Sequence, residues 1–253
     1  MSMEMLILMV CFLGALVQTT TGLGFGLIVA PMLLVFHEPV DAIQITGTLT
    51  LILAGVITPF VRGHIVPKEL AGLATGSGIG LLLGSGLLLV LPITGIRLAA
   101  LVALGYSLVR YVNALMRSAA PTAPEETQPS RSLAGLMYGM GSGAMSATLA
   151  MPGPLALIFL RSRGHAPDRV RATVFALMVG SYSGMLIISV LLSGLSQNVL
   201  DSVVFYLAPT FGGLVVGQFL VNRLPTLLFD LITTLLMLST LAVLGLKIIN
   251  ADF

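Results

Sequence analysis

Charge is scarce in this sequence. Of its 253 residues only 9% are Asp, Glu, Lys or Arg, where a soluble globular domain has about 25%. The hydrophobic share is 57% and the mean hydropathy is +1.05, which together exclude a soluble globule and indicate a polytopic membrane protein. The single cysteine, Cys11, excludes an intramolecular disulfide. No Asp or Glu falls in the middle of an apolar stretch: Glu38, Asp41, Asp201 and Asp230 all stand at ends, so a buried carboxylate proton relay has no support. His37, His64 and His165 lie in loops, and there is no His-Glu-x-x-His and no in-membrane His beside a Ser. Neither a metal-dependent nor a serine intramembrane protease fits, and no cofactor or metal is implied. A formal charge of +2 gives no reason to expect nucleic acid.

Apolar stretches are abundant. Segments long enough to span, about 20 residues each, recur at 43–60, 70–91, 98–116, 172–193, 203–222 and 230–249. Two further stretches, 4–36 and 133–160, are interrupted by glycine. No Lys or Arg precedes the first apolar run and no small-residue cleavage site follows it, so it reads as mature protein rather than a signal peptide.

The first interruption organises the reading. Thr19-Thr20-Thr21 is followed by Gly22, Gly24 and Gly26 at alternate positions, then by Pro31. Each mid-helix Gly costs roughly 1 kcal/mol relative to Ala, so a continuous helix is not expected. A straight helix over 4–36 would also be near 50 Å long, against a hydrocarbon core of about 30 Å. Two arms meeting at Gly22 to Gly26, as a re-entrant hairpin, fit instead. Unwound backbone at that depth is tolerated where it is buried in protein or lines a wet cavity, which makes it a candidate binding site.

Further along, Gln44/Thr48 and Thr46/Thr50 pair at four-residue spacing. Gly72, Gly76, Gly80 and Gly84 make a smooth strip for close helix contact, so their helix should be central. Tyr106, Arg110, Asn113 and Arg117 form a polar stripe, and 118–131 is a Pro-rich linker. The pattern then restarts. Gly80-x3-Gly84-x6-Leu91-Pro92 is matched by Gly213-x3-Gly217-x6-Leu224-Pro225 at an offset of 133. Gly139, Gly141 and Gly143, then Met151-Pro152-Gly153-Pro154, stand where the first half has Gly22, Gly24, Gly26 and Pro31. The chain reads as a duplication, 1–117 and 132–253 about the linker.

Basic residues choose the topology. With each interrupted stretch crossing once, the 12 Lys and Arg divide six and six; with both as returning hairpins, they divide ten against two, Arg97 and Lys247 being the minority. The positive-inside expectation selects the hairpins. The expected fold is therefore all-α, two inverted repeats each of one broken re-entrant hairpin plus three transmembrane helices, with both termini outside and the linker in the cytoplasm. Secondary transporters place substrate near the midplane of such an arrangement.

The candidate substrate-binding residues are Gly22, Leu23, Gly24, Phe25 and Gly26 from one break and Met151, Pro152, Gly153 and Pro154 from the other. Backbone N–H groups and helix N-termini there, near Phe25 and with Pro154 in the first helical position, would favour an anion. The alternative is close packing of small residues. Gln44 and Thr48 join the candidates, although polar residues of this kind, with Thr46, Ser181 and Ser183, are more often interhelical hydrogen bonds. Arg110 either snorkels or is buried with Tyr106 and Asn113. Arg161, Arg163, Arg169 and Arg171 read first as a topology signal, and secondly as an anion-concentrating mouth.

Thr21-Gly22-Leu23-Gly24-Phe25-Gly26 with Pro31, then Gly153-Pro154-Leu155 leading to Arg161-x2-Gly164-x2-Pro167-x3-Arg171-Ala172-Thr173, resembles the TauE/SafE family of sulfite and organosulfonate exporters, also called the toluenesulfonate uptake permease family. The resemblance covers nearly the whole chain. It implies transport of a small sulfur-containing anion such as sulfite, a sulfonate or sulfoacetate in a bacterial inner membrane, with binding roles at Gly22, Gly24, Gly26, Gly153 and Pro154. The expected partners are a small anionic substrate and the lipid bilayer, with a homodimer as an option. A passive anion channel, a carrier of a small carboxylate and an assembly subunit are the alternatives. The topology is checked by single-cysteine labelling at Ser130 and Asp252 in a Cys11-free background, Ser130 reacting only from the inside and Asp252 only from the outside.

Overall fold

The computed structural model describes residues 3–90 and 131–223, with single helical positions between 98 and 113 and between 227 and 246. Among these residues the chain is all-helical. The helices are α1 (Met3–Thr21), α2 (Phe25–Phe36), α3 (Pro39–Val61), α4 (Pro67–Val90), α5 (Arg131–Leu149), α6 (Gly153–Ser162), α7 (Pro167–Ser193) and α8 (Gln197–Leu220). Four segments are long and apolar enough to cross a membrane: Glu4–Thr21, Val40–His64, Pro167–Ser193 and Gln197–Leu220. Leu82, Leu191, Val204 and Phe219 are exposed on the outside of the bundle, which suits a surface bathed in lipid rather than water. Residues 118–130 of the linker lie outside the described residues, and Arg131 already belongs to α5. Most of the expected spans 98–116 and 230–249 also lie outside them; where described, Gly105 faces Leu241 and Gly245 faces Leu101.

Three helices start earlier than the hydropathy suggests, α3 at Pro39, α4 at Pro67 and α7 at Pro167. Proline is preorganised for a first turn, whose N–H groups have no intrahelical partner in any case. The turns it opens carry Asp41, Glu69 and Asp168, which lower the hydropathy without breaking the helix.

The first break falls at Gly22, Leu23 and Gly24, with φ of 82° at Gly22 and 143° at Gly24. The second corrects the expectation. Gly139, Gly141 and Gly143 are helical within α5, and the chain breaks instead at Ala150, Met151 and Pro152, with φ of 53° at Ala150. Glycine marks the first break because the backbone there needs positive φ. In α5 the glycines have a different task, described below.

Each broken segment folds back on itself. Gly14 of α1 lies against Phe25 and Val29 of α2, and Gly24 against Val17. Likewise Gly135 of α5 lies against Phe159 of α6 and Gly141 against Leu155, while the Tyr138 and Phe159 rings stand 5.5 Å apart. The arms are unequal. From 19 residues in α1 and 12 in α2, their lengths are about 28 and 18 Å at 1.5 Å per residue.

The glycine strips hold the two halves together. A methyl group at Gly76 would stand 2.9 Å from Met140 N and one at Gly84 2.9 Å from Ala144 Cα, and Gly80 meets the Met140 carbonyl group. Gly139 and Gly143 answer from α5, against Leu73 and Ser77 of α4. In the mirror-image contact, Gly213 and Gly217 of α8 receive α1 at Ala15 and Thr19, at 2.9 and 2.8 Å from the same hypothetical methyls. The motif repeated at an offset of 133 thus does the same work twice: each half's glycine-faced helix grips the other half's hairpin.

The registers also give directions. α1 runs parallel to α8, Phe12 meeting Gly212 and Thr19 meeting Gly217. α8 runs antiparallel to α7, because Arg171 near the start of α7 reaches Gln218 near the end of α8. α7 is parallel to α4 through Ser77/Ser181 and Leu81/Gly184, and α4 is parallel to α5. The first arms of the two hairpins therefore run in opposite directions. At the centre, α3 and α7 cross antiparallel: Gly47 meets Met185, and Gln44 Nε2 donates to Ser189 Oγ at 3.0 Å and to the Gly194 carbonyl at 2.9 Å.

Gly80→Leu should force α4 off α5 and cost roughly 1 to 3 kcal/mol, as overpacking does. Gly78→Leu, where a methyl group meets nothing within 4 Å, should leave stability unchanged. Thermal unfolding in detergent compares the two.

Candidate functional site

The first break is tied off by its own polar residues. Thr21 Oγ1 donates to the Val17 carbonyl at 2.9 Å and accepts from Leu23 N at 3.2 Å, while Thr20 Oγ1 donates to Val17 O at 2.9 Å. Gly22 N donates to Gln18 O at 2.7 Å. The Gln18 side chain then accepts from Phe25 N at 3.0 Å and so caps α2 from seven residues upstream. Two N–H groups that the sequence reading leaves free for an anion, those of Leu23 and Phe25, are thus occupied by side-chain oxygens in this structure.

The second break is held from outside. Tyr182 of α7 donates its hydroxyl hydrogen to the Ala150 carbonyl at 2.6 Å, and Ser142 Oγ donates to the Pro152 carbonyl. A non-glycine residue at positive φ costs of order 1 kcal/mol or more, and here the surrounding bonds over-determine it. α6 then starts at Gly153, one residue before the expected Pro154, which lies in the first turn.

The two breaks touch. A methyl group on Gly26 would stand 2.6 Å from the Ala150 carbonyl oxygen, 3.3 Å from the Tyr182 hydroxyl and 3.4 Å from the Met151 side chain. From the other side, the space a methyl group on Gly153 would need is filled by the Leu23 side chain, and that methyl group would stand 2.9 Å from Met178 Cε. Leu23, Phe25, Ala150 and Met151 are all buried. One face of α7 lines the junction: Arg171 against Gly22, Met178 against Gly153 and Gln18, and Tyr182 against Ala150 and Gly26. Tyr182 lies about 22 Å from the start of the 27-residue α7 and about 17 Å from its end at 1.5 Å per residue, so the junction is near mid-helix.

The other candidates are elsewhere. Gln44 bonds Ser189 and Gly194, about two turns of α7 beyond Tyr182, and serves as an interhelical tie. Thr48 is half-buried one turn further along α3. Ser181 shares a 2.8 Å hydrogen bond with Ser77. Arg110 lies outside the described residues, while Tyr106 and Asn113 are exposed. Arg163 pairs with Glu69 at 3.1 Å and stacks on Phe159, fastening the exit of the second hairpin to the start of α4.

Arg171 was grouped in the sequence with loop arginines, but it is a core residue with 6% of its surface exposed. Its Nε donates to the Thr19 carbonyl at 2.7 Å, its Nη2 to Gln218 Oε1 at 3.3 Å, and the guanidinium stands 5.5 Å from the centre of the Phe175 ring. The missed signal was periodicity. Arg171, Val174, Phe175, Met178 and Tyr182 fall on one helical face, and all five are buried. No cluster of metal-ligating side chains occurs among the described residues.

Apolar spans, a lipid-suited exterior and two interrupted helices meeting in the interior define a polytopic helical membrane protein. The chain belongs to the sulfite exporter TauE/SafE family, whose model matches residues 6–244. The family consists of membrane transporters of the sulfite and sulfonate exporter type, not enzymes. No curated protein and no solved structure matches the chain.

Tyr182→Phe leaves the Ala150 carbonyl without its donor in an apolar setting, a loss of about 1 to 3 kcal/mol. Unfolding in detergent should show it, and an unchanged midpoint would mean that the second break does not depend on Tyr182.

Proposed function

We propose that this chain is a secondary transporter that exports a small sulfur-containing anion, such as sulfite, a sulfonate or sulfoacetate, across the bacterial inner membrane. Transport proceeds by alternating access around the paired breaks. Residues 1–117 and 132–253 act as inverted repeats joined by a cytoplasmic linker, with each hairpin entering the membrane from its own side. The observation that carries this reading is the contact of Gly26 with the Ala150 carbonyl and of Leu23 with Gly153, which brings interrupted backbone from both halves to one buried place. Discontinuous helices of opposed direction meeting near mid-membrane are how secondary transporters build a substrate site. Gly22, Leu23, Gly24, Phe25 and Gly26, with Met151, Pro152, Gly153 and Pro154, form that site once the two tips part. Their burial in this structure suits a carrier in a closed state better than a continuously open pore.

Counterflow in proteoliposomes tests the mechanism. External unlabelled sulfite should drive accumulation or release of labelled sulfite, whereas net current without exchange would indicate a channel. Gly24→Val and Gly153→Val should abolish exchange while the protein still inserts. Gly24 has φ of 143° and would place a methyl group 2.9 Å from Val17 Cγ1, and Gly153 would meet Leu23 and Met178. Normal exchange by both variants would remove the tips as the site.

A further inference from the structure

We infer that Arg171 supplies the positive charge for the transported anion, and that Gln218 and the Thr19 carbonyl hold its guanidinium in the absence of substrate. This inference rests on the transport reading above. Arg171 is the one charged side chain buried in the core among the described residues; Arg62, Lys68, Arg169 and Arg223 are exposed, and Arg161 and Arg163 are half-buried. Its partners are a carbonyl oxygen, an amide oxygen and an aromatic face, all neutral. The nearest acid in sequence, Asp168, is exposed one turn away; it acts on the guanidinium through its Coulomb field, and no ion pair within 4 Å joins the two.

A buried guanidinium without a carboxylate is costly, because charge removed from water is normally paired. On the transport reading, the missing counter-charge is that of the cargo. The position agrees. Arg171 backs Gly22, with its Cα 3.3 Å from where a methyl group at Gly22 would stand, and lies two turns before Met178 on the face of α7 that lines both breaks. Its planar fork of donors matches a sulfur oxyanion with two oxygens on one side. Gln218 is the exchangeable partner, since it is exposed, is bound at the longer distance of 3.3 Å and offers one neutral oxygen.

The competing account is that Arg171 only fastens the end of α1 through Thr19. Gln218→Glu separates the two. A carboxylate there would neutralise Arg171 internally while leaving the Thr19 bond in place, and the unliganded midpoint reports whether the replacement itself disturbs the fold. Sulfite-induced thermal stabilisation is measured on purified full-length protein under anaerobic conditions, with sulfite counterflow in parallel. Gln218→Glu should weaken the apparent sulfite affinity at least tenfold without lowering the unliganded midpoint. Arg171→Gln should abolish binding, and Arg171→Lys should retain part of it. Wild-type affinity within twofold in Gln218→Glu would overturn the inference even if Arg171→Gln fails to fold. Failure of the wild-type protein itself to bind or exchange sulfite or a sulfonate would instead overturn the transport reading.

Discussion

A helix interrupted among apolar side chains leaves N–H and carbonyl groups that must find partners, and this structure is arranged around satisfying two such interruptions. The solutions differ. At the first, glycine takes positive φ and side chains from the same segment, Thr21 and Gln18, bond the freed N–H groups. At the second, alanine takes positive φ and the partners come from other turns and another helix, Ser142 and Tyr182. Both breaks also lean on α7, the first through the Arg171 bond to the Thr19 carbonyl and the second through Tyr182.

The glycine strips give this dependence a wider reach. α4 holds α5 and α8 holds α1, so each hairpin is fixed to the opposite half more closely than to much of its own. Backbone-to-backbone contact of this kind lets packing and close approach replace the hydrophobic drive that is missing between helices in lipid. It also ties each half's broken helix to the glycine-faced helix of the other half.

Electrostatics are concentrated in very few groups. The ends of α2 and α6 offer only partial charge, and the first N–H of α2 is already taken by Gln18. Arg171 is a full charge beside the same break, held by neutral oxygens. Gln18 and Gln218 place amide oxygens against these two groups, one at a helix N-terminus and one at a guanidinium.

Composition alone determined the membrane class, because a chain with 9% charged residues has no means of covering a water-facing surface. Local chemistry marked the first break, where Gly22 and Gly24 take the positive φ that their residue type permits, whereas the equally spaced Gly139, Gly141 and Gly143 stay helical; the offset of 133 between two glycine motifs pointed to a duplication. Family membership was legible for the same reason: Gly22 to Gly26 and Gly153-Pro154 carry their constraint in residue type. What each strip packs against was not legible, because a smooth helix face is the same whichever partner it meets. Nor was the second break, where Ala150 takes positive φ without being glycine and its carbonyl is bonded by Tyr182, which is 32 residues away. The burial of Arg171 was hidden by its neighbours Arg161, Arg163 and Arg169, which share its residue type and stand outside the core. Only the packing of α1 and α8 around the start of α7 decides that this arginine sits in the core while Arg161, Arg163 and Arg169 do not.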